Sequence, residues 1–214
     1  MTSIENGSRV RRGRPGHSLD SLLDVAVAVF NERGYDATSM EHLSQATGRT
    51  KSSIYHHVSG KEELLRLAVS RALDALFAVL EEEGATSGRA LERLEHVVRG
   101  SARVLAAELP YVTLLLRVRG NTEAESWALD RRRDLDRRLA TLVRAAVDEG
   151  DLRPDHDPRL VTRLLFGMVN SLVDWLRAPP GRGPGHCDGT HGRQQVEDAL
   201  VALAFDGLRP RPPR

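Results

Sequence analysis

At 214 residues, 40% hydrophobic and 29% charged, the chain has the composition of a soluble globular protein able to bury a core. One cysteine, Cys187, excludes an internal disulfide, no apolar run reaches membrane-span length, and the N-terminus lacks a signal-peptide core, so a cytoplasmic location is expected. A net charge of +1 decides nothing about nucleic acid, while scarce aromatics (4%) and long Ala/Leu/Arg/Glu stretches without strand-like alternation point to an all-α fold.

Residues 1–17 carry Gly, Ser and Pro with almost no apolar side chain, which predicts a disordered arm. Arg9, Arg11, Arg12 and Arg14 make it basic. Such a run is either a solvated tail or an arm that lays Arg11, Arg12 and Arg14 into a DNA minor groove. A first helix is expected from about Ser18 to Arg33, with Leu19, Leu22, Leu23, Ala26 and Phe30 on one face and Gly34 as its end.

Next comes TSMEHLSQATGRTKSSIYHHV, residues 38–58, around which the rest of the chain is organised. Thr38 can cap a helix with Glu41 closing the capping box, and Met40, Leu43 and Ala46 give it an apolar face. Gly48 suits the left-handed turn that follows, and Thr50 can cap a second helix, Lys51 to Val58. Spacing alone fits either a helix-turn-helix or a plain helical hairpin. In the first case the start of the second helix faces DNA base edges.

The flanking FNERGYDATSM and SGKEELLRLA extend the pattern. With Phe30, Gly34, Tyr35, Thr38, Ser39, Leu43, Ala46, Gly48, Lys51, Ile54, Tyr55, His57, Lys61, Glu62 and Leu64, residues 19–65 resemble the DNA-binding domain of the TetR family of bacterial repressors. Arg49, Val58 and Gly60 depart from the usual residues, and Ser59 can take over the cap that Gly60 weakens. The resemblance implies that Lys51, Ser52, Ser53 and Arg49 read bases. It implies that Thr38, Thr50, Tyr55, His57 and Lys61 hold phosphates, partly through helix N-terminal amides. For Tyr55 and His57, packing and capping remain the alternative.

Further helices are expected over Lys61–Glu83, Arg89–Glu108, Pro110–Val118, Asn121–Glu149, residues 159–177 and Arg193–Leu208, with a loop over Gly84–Gly88. The first is long enough to join two domains. Arg131, Arg132, Arg133, Arg137 and Arg138 alternate with aspartates and read as a solvated, paired face. Residues 159–177 are apolar on nearly every side, so one side should meet a second subunit. A Gly/Pro-rich loop over 178–192 holds His186, Cys187 and His191, too few ligands for a structural zinc site, and no cofactor is expected.

The division is therefore a basic arm (1–17), a helix-turn-helix domain (18–65), a helical effector-binding and dimerisation domain (66–208) and a disordered tail (209–214). The function implied is a homodimeric repressor of double-stranded DNA, released from a palindromic operator by a small-molecule effector, with no membrane partner. The run LVTRLLFGMVNSLVDWLR loosely resembles regulators that respond to acyl-CoA thioesters, which hints at that class. Val98, Ser101, Leu105, Tyr111, Leu115, Trp127, Phe166 and Asn170 mix apolar walls with a few polar groups and are the expected ligand site. No catalytic set is visible; an α-helical enzyme and a protein–protein adaptor reusing the fold are the competing classes.

Overall fold

A computed structural model describes residues 19–176 and 193–209. The arm with Arg11, Arg12 and Arg14, the loop with Cys187 and the last five residues lie outside them. Ten helices and no strand form among the described residues, in keeping with the all-α expectation.

They are α1 (Leu19–Arg33), α2 (Met40–Thr47), α3 (Lys51–Tyr55), α4 (Lys61–Glu81), α5 (Glu83–Thr86), α6 (Ala90–Ala107), α7 (Leu109–Arg117), α8 (Glu123–Asp148), α9 (Pro158–Leu176) and α10 (Arg193–Asp206). The short α5 replaces part of the expected loop. Its formation fits Ala85, which is buried and docks the turn against the core.

The N-terminal unit packs α2 on α1 and α3 on α2, around Leu22, Phe30, Leu43 and Ile54, all essentially inaccessible. Gly48 joins α2 to α3 at φ +64°, where a side chain would be strained, and its amide donates back to Gln45. The cap of α2 falls one residue later than expected. Ser39 Oγ accepts from the His42 amide, and His42 Nδ1 accepts from the Ser39 amide, both at 3.3 Å. Thr38 is unavailable because its hydroxyl, in a residue only 2% exposed, donates to the Gly34 carbonyl at 2.7 Å.

Helix α4 spans 21 residues, about 30 Å at 1.5 Å per residue. Leu64 and Leu65 at its start are buried beside α1, while Leu73 and Phe77 are buried among the later helices. It also packs on α6, α7 and α8, and α9 lies against α6 and α8. One rigid rod thus enters both halves of the molecule.

The arginine face of α8 is only partly solvated and paired. Arg133 pairs with Asp130, and Arg137 and Arg138 with Asp134. Arg131 instead lies 4.0 Å over the Phe77 ring, and Arg132 turns inward to the Leu115 carbonyl. A helix of this length packed between α4 and α9 has to bury part of any face.

Candidate nucleic-acid interface and core cavity

Ile54 and Val58 anchor α3 inward, which leaves Thr50, Lys51, Ser52, Tyr55, His56 and His57 exposed around it, Tyr55 at 51%. Thr50 caps the helix, its Oγ accepting from the Ser53 amide at 3.2 Å. The result is a short, outward-facing platform whose polar side chains are held by a buried apolar stripe.

Glu41 of α2 sits beside this platform and pairs with Lys51 at 2.5 Å. A hydrogen bond from the Lys51 ammonium holds the Glu41 carboxyl below its usual range, and the carboxylate raises Lys51 in turn. The sequence reading assigned Glu41 to a cap and so missed this pair. Shifting the cap to Ser39 is what frees it.

Three of the residues expected at the DNA take partners within their own chain. Thr38 is buried, as above. Arg49 turns back to α1, donating to Ser21 Oγ at 2.9 Å, with its Nε and Nη1 buried. Lys61 donates to the carbonyls of Tyr35, Asp36 and Thr38 at 3.1, 3.4 and 2.9 Å and lies 4.5 Å from the Tyr35 ring centroid. These three carbonyls cluster in the α1–α2 connection, that of Tyr35 also accepting from the Thr38 amide at 3.1 Å, and an ammonium that reaches all three is drawn inward. Burial, with Glu62, Glu125 and Asp36 nearby, pushes the Tyr35 phenol up to about 12, so it stays neutral in this pocket.

Lys61→Met should therefore lower stability by about 1–2 kcal/mol, the scale of a charge-assisted hydrogen bond lost from a partly exposed site. Urea unfolding reads that loss. The dependence of DNA affinity on salt should keep its slope, whereas loss of a true phosphate contact would lower it by about 0.9.

Of the eight expected ligand residues, Ser101, Leu105, Leu115, Phe166 and Asn170 line one cavity between α4, α6, α7, α8 and α9. Arg132 and Asp136 close its other side. Its volume is about 50 Å³, well below a drug-sized pocket of roughly 300 Å³ or more. The other three lie elsewhere. Val98 is fully buried one turn before Ser101. Trp127 lies near the start of α8, under Arg66 in a surface groove.

Tyr111 faces α1 instead. Its hydroxyl donates to Asp24, and Arg71 of α4 lies 4.3 Å over its ring while chelating Glu108 at 2.8 and 3.1 Å. Burial first, then the Asp24 carboxylate, raises the phenol above its ordinary value. Together with Lys61, this clasp fixes the N-terminal unit to the helices behind it. Neither contact was visible in sequence, because each joins residues 23 or more positions apart.

A family model described as bacterial regulatory proteins of the tetR family matches residues 22–68, and one described as the tetracyclin repressor-like C-terminal domain matches 87–208. The transcriptional repressor KstR2 of Mycobacterium tuberculosis is 27% identical over 199 residues, covering 92% of this chain and 95% of that one. A crystal structure of a TetR-family member from Streptomyces coelicolor A3 is 61% identical with a TM-score of 0.79, covering 88% of this chain and 91% of that one. The fold is also that of AibR, crystallised with isovaleryl coenzyme A and operator DNA, at 23% identity and a TM-score of 0.71 over 87% of this chain and 97% of that one. Among the described residues no helix is long and apolar enough to cross a membrane.

Proposed function

This chain belongs to the TetR family of bacterial regulatory proteins, and from that membership we propose that it is a homodimeric repressor released from a palindromic operator by a small apolar effector. It is a DNA-binding transcriptional regulator. The observation that carries the finer reading is the exposed platform of α3. In a helix-turn-helix the start of the second helix enters the major groove. Lys51, Ser52 and Ser53 then read base edges, while Thr50, Tyr55 and His57 hold phosphates.

Lys51 must leave Glu41 to reach a base. Lys51→Ala should lower affinity for the specific site about tenfold to a hundredfold and relax base preference there. Glu41→Gln should strengthen binding to scrambled DNA, since a carboxylate beside the phosphates is removed. Selection of bound sequences from random DNA, followed by titration of wild type and both variants, tests the reading. An enriched palindrome supports it; no enrichment refutes it.

The effector would occupy the cavity beneath Phe166. At about 50 Å³ the cavity is too small for such a ligand, so the ligand has to widen it. Leu76 of α4 lines that cavity, and Lys61 at the far end of α4 grips the N-terminal unit. A ligand that favours the widened state moves the rod and, through it, the spacing of the two α3 helices. AibR, with the same fold, has been crystallised with an acyl thioester, which makes that class the first to titrate.

Exposure supports a dimer seam on α9 and α10. Of the six exposed large apolar side chains among the described residues, five lie on α9 and α10: Leu160, Leu164, Met168, Leu176 and Leu203. Val169 does not belong to this face. It is 2% exposed and lines the cavity of its own chain.

A further inference from the structure

Beside the cavity, α8 and α9 form a second concavity of about 360 Å³, lined by Arg137, Arg144, Arg159, Arg163, Thr141 and Thr162 among others. Four arginines line it, and Asp136 is its one lining carboxylate among the described residues. Arg137 is paired with Asp134. The side chains of Arg144, Arg159 and Arg163 make no ion pair or hydrogen bond to another described residue. Like charges gathered without partners repel one another, and a multiply charged anion relieves that repulsion. Planar guanidinium groups suit phosphate oxygens in particular, through paired hydrogen bonds.

The groove and the cavity are contiguous. Asp136 lines both. Along α8 the lining passes from Arg132 and Leu135 in the cavity to Arg137, Thr141 and Arg144 in the groove. Along α9 it passes back from Asn170 and Phe166 to Arg163 and Arg159. The larger cleft between α1 and α7 lacks this character, since Arg117 there already donates to the Asn31 carbonyl, and Asp36 and Glu125 line it.

We propose that the groove between α8 and α9 binds the phosphorylated head of an amphipathic effector whose apolar end enters the adjoining cavity. The proposal rests on the effector reading above and adds its headgroup site. Asp136 stands at the neck between the two. Desolvation there pushes its carboxyl up, against the pull of Arg132 and Arg163, and it is the one carboxylate among the described lining residues that faces the anion.

Calorimetric titration of the full chain, without DNA, tests the site with four probes: hexanoyl coenzyme A, coenzyme A, 3′,5′-ADP and hexanoate. Hexanoyl coenzyme A should bind tightest. Its affinity should fall roughly tenfold for each of Arg144→Ala, Arg159→Ala and Arg163→Ala, the scale of one charge-assisted contact. Hexanoate binding should not change, and Asp136→Asn should strengthen the thioester. The arginines are exposed, so folding survives, and circular dichroism checks it.

A triple variant that binds the thioester like wild type overturns the proposal, as does a wild type that binds none of the phosphorylated probes. Equal affinity for 3′,5′-ADP and the thioester rejects the two-part ligand. A triple variant that becomes monomeric assigns the arginines to the subunit contact instead and also overturns the site. Operator release is read separately: a thioester that binds the groove yet leaves operator affinity untouched refutes the effector reading and leaves the groove standing.

Discussion

Leu164→Arg and Leu203→Arg, singly or together, are expected to convert the protein to a monomer and to lower operator affinity at least about a hundredfold. Leu164 is 62% exposed and Leu203 78%, so neither side chain supports the fold of its own chain. Each leucine buried at a subunit seam contributes about 1.5–3 kcal/mol, and two-fold symmetry counts it twice. A charge placed there adds its own desolvation cost. One substitution should therefore weaken dimerisation by about a thousandfold or more. A monomer presents one α3 helix to one half-site and forfeits the second. Sedimentation velocity gives the assembly state, and titration with operator the affinity. Dimers that survive both arginines would move the seam away from α9 and α10.

Gly100→Ala should reverse the sign of its effect according to what stands at position 79. A methyl group at Gly100 would lie 2.3 Å from Val79 Cγ1, far inside contact distance. Both residues sit where α6 crosses α4, and Val79 is buried at 2% exposure, so it cannot swing away. Helix propensity favours alanine over glycine by about 1 kcal/mol. Overpacking costs about 1–3 kcal/mol, which wins, so the single variant should be less stable. On a Val79→Ala background the space exists, and Gly100→Ala should then stabilise. The coupling between the two positions should be about 2–3 kcal/mol, read from a double-mutant cycle in urea. Additive effects would show that the helices separate freely at this crossing. Since α4 is the rod between the DNA-facing unit and the cavity, the glycine sets how closely α6 follows it.

The sequence determined the local features by itself. The period of Leu22, Ala26 and Phe30 specifies α1, Gly48 suits the turn, and Thr50 caps α3 as expected, because these depend on neighbours within one or two helical turns. The stretch from residue 19 to 65 is dense in such signals, and its family was legible for that reason. Two-sided apolarity in α9 likewise announced that one face would remain uncovered by its own chain.

What only the tertiary structure decided is which partner each polar side chain takes. Lys61, Arg49 and Thr38 are chemically fit to hold phosphate, yet each lies nearer to a carbonyl or hydroxyl of its own chain and is drawn inward. Tyr111 left the expected ligand site for Asp24, and Val169 lines the cavity and not the exposed face of α9. Arg144, Arg159 and Arg163 are separated by up to 19 positions and meet only because α8 and α9 pack side by side. Helical periodicity fixes the face on which a residue stands. The phase and pairing of whole helices, set by how their buried side chains interlock, determine what that face meets.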